Sequence, residues 1–244
     1  MILPFFAFAV LGHICQPTTA TPVTASPPPR ADITTTTSHG SGCPNGAGAV
    51  IGPTSQSDKL QTLTFYSQDF TLYGPNSAAV TILDTSKTCN GTVSLTYPDG
   101  FSFKLEAVIY SVMSRLEREV NAYFMSVYSL SPGTGSGVAL TAENASISHK
   151  WQFNGTGRAQ RTFRRYTLPD MIRSTSGLAA GPGEGEAPVL ASVCGRDGKN
   201  ALELKIDTQV EVRNTSSVVL RTVDGTPDFE LEMVQLHLRW EACK

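Results

Sequence analysis

Histidine is the first residue type to consider, because an imidazole can bind a metal ion or act as a general base. His13 falls in an apolar N-terminal segment and His39 in a segment rich in Thr and Pro. His149 and His237 are far apart and show no metal-ligand spacing. A copper oxygenase of the secreted, polysaccharide-cleaving type needs a mature chain that begins with histidine, and cleavage before His13 would leave too short a leader. We therefore expect no metal and no cofactor. We also expect His237, which alternates with apolar residues, to face solvent in a strand.

Nucleophilic and acid–base catalysis find little support in the sequence. Serine is abundant, but the G-x-S-x-G sequence that places a nucleophilic serine on a sharp turn is absent. Paired carboxylates can hydrolyse glycosides when they lie roughly 5 to 9.5 Å apart. The candidates, Glu203 with Glu211 and Glu230 with Glu232, occupy polar positions of alternating sequence, which is typical of solvated strand residues. The sequence favours a protein that is not an enzyme, and an extracellular hydrolase that uses such carboxylates stays an open alternative.

One segment combines cationic and aromatic side chains. Residues 150–173 contain six basic residues and a single acid, Asp170, within a chain of net charge −2. Cations beside aromatic rings can bind an anionic glycan, a phosphate or an acidic partner, and exposed aromatic rings can stack on sugars. The alternative interpretation is an ordinary solvated hairpin face. The candidate ligand surface consists of Trp151, Arg158, Arg161, Arg164, Arg165 and Tyr166.

The N-terminus has the pattern of a secretory signal peptide. The segment from Ile2 to Leu11 is apolar but too short to span a bilayer, and small residues near Ala20 offer a cleavage site. We predict a signal peptide over residues 1–20, which would remove Cys15. Export would make the protein secreted and extracellular.

Four cysteines remain in the exported chain, and an even number in an oxidising compartment indicates two disulfides with three alternative pairings. We favour Cys43–Cys89 and Cys194–Cys243, because each closes a moderate loop at one end of the domain.

In an exported chain, the four N-x-Ser/Thr sequons are candidate sites of N-glycosylation. Two of them coincide with Asn-Gly turn signals, and a turn is exposed enough to carry a glycan. The candidate N-glycosylation sites are Asn90, Asn144, Asn154 and Asn214.

The segments that must position these residues have sequences that are typical of β-strands. Residues 21–41 are dominated by Thr, Pro and Ser, which favours a disordered linker, and we expect the globular domain over residues 42–244. Alternating apolar residues flank Asp99-Gly100 and Asn154-Gly155, which predicts a hairpin at each turn.

The clearest strand follows residue 200, where apolar and polar residues alternate. Near Met233-Val234 the apolar phase shifts by one residue, which indicates a β-bulge. We predict a strand over Asn121–Leu130, and residues 113–120 fit either a helix or a strand. The fold class is an all-β antiparallel β-sandwich with two disulfides.

Several short motifs resemble domain-of-unknown-function family 4360, whose members are small, secreted, largely fungal proteins. The motifs are Gly42-Cys43-Pro44, Pro98-Asp99-Gly100-Phe101, Ser192-Val193-Cys194-Gly195, Thr222-Val223-Asp224 and Leu238-Arg239-Trp240-Glu241-Ala242-Cys243. Their order and spacing carry the resemblance, which covers the whole predicted domain. It implies secretion, the cysteines and β architecture, and it implies no chemistry.

These observations lead to one expectation and one alternative. We expect a secreted, non-enzymatic, monomeric glycoprotein that acts at the cell wall, the extracellular matrix or a host surface. The alternative is a carbohydrate-binding or carbohydrate-active β-sandwich protein with an extracellular glycan or cell-wall component as its partner. The net charge of −2 provides no field for nucleic acid or a membrane surface.

Overall fold

A computed structural model of the protein describes residues 29–67, 70–72, 86–116, 118, 120–133, 146–167, 190–196, 198, 200–214 and 229–244. The predicted signal peptide, the first part of the predicted linker and the sequon at Asn144 lie outside these residues. Asn214 ends a strand, but its side chain is not described. Among the described residues, no helix has the length and apolar character needed to cross a membrane.

The described residues form two antiparallel sheets, which confirms the predicted β-sandwich. The sheet 1 order is β1-β5-β10-β7-β8, and the sheet 2 order is β2-β3-β11-β6-β9 with β4 beside β11. The strands are β1 (Asp32–His39), β2 (Ala47–Ile51), β3 (Leu60–Ser67), β4 (Thr71–Leu72), β5 (Ser86–Thr96), β6 (Phe101–Ser114), β7 (Val120–Pro132), β8 (Ser146–Asn154), β9 (Gln160–Thr167), β10 (Ala201–Asn214) and β11 (Phe229–Ala242).

The core lies between the two sheets and is built by period-2 alternation. In β10, Leu202, Leu204 and Ile206 are at most 1% exposed, while the residues between them face the outer side of sheet 1. Burial of each such side chain stabilises the fold by about 1.5–3 kcal/mol. The strand predicted over residues 121–130 is confirmed as β7. The ambiguous segment before it is the end of β6 followed by a short connection.

A buried glutamine closes one end of the core. The Gln61 side chain is fully buried, and its Oε1 accepts hydrogen bonds from the Ala31 backbone N–H and the Trp240 indole N–H. Its Nε2 donates to the backbone carbonyls of Ala31 and Gly52. Every hydrogen-bonding group of this side chain therefore has a partner, as burial of a polar group requires.

Both predicted hairpins are wrong in their strand pairing. β5 lies in sheet 1 and β6 in sheet 2, and the same division separates β8 from β9. Gly100 has a φ of 76°, so the predicted turn is present, but the chain crosses there from one sheet to the other. Alternation requires only that the apolar side of each strand faces the core. Two strands that face each other across the core satisfy this requirement as well as two paired strands do.

The Asn-Gly sequence at residues 90–91 is not a turn, since both residues lie inside β5. Gly91 is on the inner side of the strand, and the Phe65 ring of the opposite sheet packs directly against it. A Cβ at position 91 would overlap that ring. The glycine serves close packing between the sheets instead of a reversal of the chain.

Residues 32–39 form β1, whereas the sequence analysis placed them in a disordered linker. β1 pairs with β5 along the edge of sheet 1, and the Thr35 hydroxyl hydrogen-bonds the Ser94 hydroxyl at 2.8 Å. Threonine is β-branched and suits a strand that is exposed at a sheet edge. Composition alone missed this strand because its stability comes from pairing with β5.

The predicted bulge and both favoured disulfides are confirmed. The register between β11 and β6 shifts between Leu231 and Met233. Cys43 pairs with Cys89 at a Cα–Cα distance of 5.4 Å, and Cys194 pairs with Cys243 at 5.9 Å. One disulfide ties the β1–β2 connection to β5, and the other ties the end of β11 to the segment before β10.

Candidate functional site

Three residues of the predicted ligand surface meet at the open side of the sandwich, where β8 and β9 are the edge strands of their sheets. Trp151 and Tyr166 point between the sheets and are half-buried, with ring centroids 5.9 Å apart. The Arg164 guanidinium carbon lies 5.3 Å from the centroid of the Trp151 ring. These side chains close the edge of the core, so little of either ring is available to a ligand.

The other arginines of that prediction lie elsewhere. Arg161 and Arg165 alternate with Tyr166 and therefore face the outer side of sheet 2, where Arg161 forms an ion pair with Glu232. Arg158 is exposed in the connection between β8 and β9. The structure therefore does not bring all six residues together, because alternation along β9 sends neighbouring arginines to opposite sides of the sheet.

A buried aromatic and histidine cluster, which the sequence analysis missed, lies behind this edge. His149 is 1% exposed, and its ring centroid lies 3.8 Å from that of Tyr166 and 5.6 Å from that of Tyr110. The hydroxyls of Tyr110 and Tyr128 hydrogen-bond at 2.5 Å. Burial lowers the pKa of His149 to about 4 and raises the pKa of both tyrosines. The cluster is neutral and enclosed, so its role is packing.

His237 lies on the outer side of sheet 2, as predicted, but it is only partly solvent-exposed. Burial lowers its pKa, the nearby Arg165 cation lowers it further, and Glu106 opposes the shift. Its partners in the sheet are Ala107 and Thr62, and the nearby Glu106 carboxylate accepts hydrogen bonds from Arg239.

A concave surface lies on the outer side of sheet 1. Three neighbouring strands, β10, β7 and β8, form a cleft of about 470 Å³. Strand register arranges its floor in two rows across the sheet: Glu211 lies opposite Tyr123 and then Gln152, and Gln209 lies opposite Met125 and then Lys150. We call this surface the sheet 1 cleft. It is lined by Tyr123, Phe124, Met125, Lys150, Trp151, Gln152, Gln209, Glu211 and Arg213.

The charged side chains of the sheet 1 cleft hold one another in place. Arg213 donates from Nε and Nη2 to the two carboxylate oxygens of Glu211 at 2.6 and 2.7 Å. Its guanidinium carbon lies 5.0 Å from the Tyr123 ring centroid. The hydrogen bonds from Arg213 keep the pKa of Glu211 below its usual range. Glu211 is therefore a fixed anion and a hydrogen-bond acceptor at neutral pH.

The remaining polar side chains of the cleft offer planar hydrogen-bonding groups. Gln152 donates from Nε2 to Oδ1 of Asn154 at 2.7 Å, and Gln209 presents a second amide two strands away. Each amide both donates and accepts. The sequence analysis placed Glu211 at a polar position of its strand, but only the strand pairing places Tyr123 and Gln152 beside it.

Of the carboxylate pairs considered for hydrolysis, Glu203 with Glu211 is too widely separated to form a catalytic site. Glu203 and Glu211 lie eight residues apart on β10, a separation of about 27 Å along a strand, which is too far for the two acids to act on one glycosidic bond. Glu232 accepts hydrogen bonds from Ser111 and Arg161 on the outer side of sheet 2. In the part of the chain that the structure describes, no three His, Cys, Asp or Glu residues cluster as metal ligands.

The fold and its cysteines define a secreted β-sandwich protein braced by two disulfides. The chain belongs to the family described as Domain of unknown function (DUF4360), which it matches over residues 29–243. It is 25% identical over 219 residues to an "Uncharacterized secreted protein" of Arthroderma benhamiae, covering 90% of this chain and 74% of that protein. The resemblance seen in the sequence motifs is thereby confirmed, and so is secretion.

Two solved structures show a distant similarity of shape. One is a family 11 carbohydrate-binding module from Clostridium thermocellum in complex with a β-1,3-1,4-mixed-linked tetrasaccharide, with 8% identity and a TM-score of 0.28 over 87% of this chain and 96% of that one. The other is TmCBM61 in complex with β-1,4-galactotriose, with 9% identity and a TM-score of 0.21 over 88% of each chain.

Proposed function

We propose that this protein is a non-catalytic, extracellular glycan-binding protein that acts at the cell wall, the extracellular matrix or a host surface. The sheet 1 cleft is the proposed binding site. The observation that carries the proposal is its lining: two amides, a fixed carboxylate and a guanidinium surround the apolar side chains of Tyr123 and Met125.

This combination suits a sugar ring, which has apolar C–H faces and a rim of hydroxyl groups. Each hydroxyl donates and accepts a hydrogen bond, so it pairs well with amides and with a carboxylate. An aromatic and a thioether side chain supply apolar contact beneath the ring. Because the cleft lies on the face of a sheet, regular backbone hydrogen bonds hold the strands that carry its side chains, so the backbone beneath a ligand is already ordered before binding.

The charge of the cleft favours a neutral polysaccharide. Arg213 neutralises Glu211, which leaves Lys150 as the one unbalanced charge among the described lining residues. A strongly anionic glycan would need more cations than this to offset the loss of its hydration. Arg161 and Arg165 of β9 do not add to this charge, since they face the outer side of sheet 2. Arg164 lies beside the Trp151 ring at the open side of the sandwich and is not among the described residues that line the cleft.

Binding without catalysis is favoured over hydrolysis by the same lining. Glu211 is the single carboxylate among the described residues of the cleft, and its pKa is lowered by Arg213. A glycosidase needs a second acid, with a raised pKa, to protonate the leaving group. Among the described residues of the cleft, no carboxylic acid with a raised pKa is present to act as this proton donor.

The test uses the secreted full chain in pull-down assays with insoluble polysaccharides and in calorimetry with soluble oligosaccharides. Tyr123→Ala should weaken binding about tenfold, a loss of about 1.4 kcal/mol. The matched control is Tyr66→Ala, because Tyr66 is 37% exposed on the outer side of sheet 2. This control should bind as the wild type does. Failure to retain any polysaccharide at millimolar concentration, or equal losses in both variants, would overturn the proposal.

A further inference from the structure

Two sequons fall on the outer side of sheet 1, and their surroundings differ. Asn90 lies in the middle of β5, with β1 paired on one side and β10 on the other, and it is half-buried. Its Nδ2 lies 3.4 Å from Nε2 of His39. Asn154 is the exposed last residue of β8, an edge strand of the sheet, and the chain continues into the connection to β9. Asn154 is therefore the more exposed of these two asparagines.

N-glycosylation is a transfer reaction with a defined balance. The side-chain amide nitrogen bonds to C1 of the first sugar of a lipid-linked oligosaccharide, the bond from C1 to the lipid diphosphate breaks, and the nitrogen loses one proton to the transferase. The modified amide keeps one N–H and its Oδ1. At Asn154 that oxygen is the acceptor for Gln152 Nε2 at 2.7 Å, so this hydrogen bond is compatible with the modification.

The same hydrogen bond places the root of such a glycan at the margin of the sheet 1 cleft. Gln152 lines the cleft and precedes Asn154 by two residues on the same side of β8. Lys150, also in the lining, lies about 13 Å from Asn154 along the strand. A branched chain of several sugars at Asn154 would extend over this distance.

We infer that Asn154, and not Asn90, carries an N-linked glycan, and that this glycan lies along the β8 margin of the sheet 1 cleft and restricts access to it. The part concerning ligand access rests on the proposed function, while the choice of asparagine and the position of the glycan do not.

Glycopeptide mass mapping of the chain secreted from a eukaryotic host tests the choice of asparagine. Thr156→Ala and Thr92→Ala each remove one sequon and leave its asparagine, with its hydrogen bond, in place. We expect the Asn154 peptide to carry a glycan that Thr156→Ala abolishes, and the Asn90 peptide to be unmodified with or without Thr92→Ala. An unmodified Asn154 or a glycosylated Asn90 in folded, secreted protein would overturn the inference.

Lysine acylation tests the position of the glycan without any ligand. Lys150 and Lys205 both face the outer side of sheet 1. Asn154 lies level with Arg213 of β10 in the strand register, and Lys205 precedes Arg213 by eight residues, a distance of about 27 Å along that strand. Native enzymatic trimming of the glycan to one sugar should raise the acylation rate of Lys150 several-fold and leave that of Lys205 unchanged. An unchanged rate at Lys150 would refute the proposed position.

Polysaccharide binding of the trimmed and untrimmed chains tests restricted access. Trimming should strengthen binding several-fold, and Thr156→Ala should bind as the trimmed chain does. Equal binding before and after trimming would refute the restriction. If neither form binds any polysaccharide, the proposed function fails, and the mass map and the acylation rates still decide whether Asn154 carries the glycan beside the cleft.

Discussion

Lowering the pH from about 7 to about 4 should destabilise the fold through His149. This imidazole is 1% exposed between the rings of Tyr110 and Tyr166, and its Nδ1 has no hydrogen-bond partner among the described residues. Burial lowers its pKa from 6.5 to about 4. In the unfolded chain the group keeps its ordinary pKa, so below about pH 6.5 the unfolded state binds a proton that the folded state does not. The contribution of His149 to the free energy of unfolding is therefore fully present above about pH 6.5 and is lost as the pH falls towards 4.

The size of the effect follows from the difference in pKa between the two states. One pKa unit corresponds to about 1.4 kcal/mol, so the shift of His149 corresponds to a loss of about 3 kcal/mol between pH 7 and pH 4. His237 contributes in the same direction, because its pKa is also lowered. A loss of this size is a large fraction of the stability of an ordinary domain.

Urea unfolding at a series of pH values, followed by tryptophan fluorescence, measures this dependence. His149→Phe keeps a ring in the same space and removes the titrating group. Between pH 7 and pH 4 the variant should therefore lose about 3 kcal/mol less of its free energy of unfolding than the wild type does. His39→Gln alters an exposed histidine in β1 and should behave as the wild type does. Parallel stability curves for wild type and His149→Phe would refute the reasoning.

Three further changes test the packing. Gln61→Leu should cost at least about 3 kcal/mol in urea unfolding, since it leaves buried backbone groups and an indole N–H unpaired; an unchanged midpoint would contradict this. The double variant Cys194→Ala/Cys243→Ala should lose about 4 kcal/mol, because it opens a loop of 49 residues; in reducing agent the wild type should lose at least as much. Gly91→Ala should cost about 2 kcal/mol by displacing the Phe65 ring, and Gly52→Ala, where a Cβ would make an ordinary contact with the Thr62 carbonyl oxygen at 3.6 Å, is the control for glycine replacement.

Much of the fold was predictable from local patterns. Alternation in β10 predicted which side of that strand is buried, and the slip in apolar phase predicted the bulge in β11. Four well-separated cysteines in an exported chain predicted two disulfides, and the favoured pairing is the observed one. These predictions succeed because each depends on a residue's own neighbours along the strand or on the chemistry of the compartment.

The candidate site was less predictable. Basic and aromatic residues adjacent in sequence near residue 160 suggested one ligand surface, but alternation divides them between the inner and outer sides of sheet 2. The sheet 1 cleft combines Tyr123 from β7, Gln152 from β8 and Glu211 from β10, and no local motif connects these strands.

The sequence by itself determined secretion, the two disulfides, the all-β class and the side of each regular strand that is buried. Only the tertiary structure decided which strands pair, that the Thr-rich segment forms β1, that Gly91 accommodates the Phe65 ring and that the cleft lies on sheet 1. The physical reason is that burial by alternation acts within one strand, whereas strand pairing joins residues far apart in the chain. Turn residues and composition are equally consistent with several such pairings.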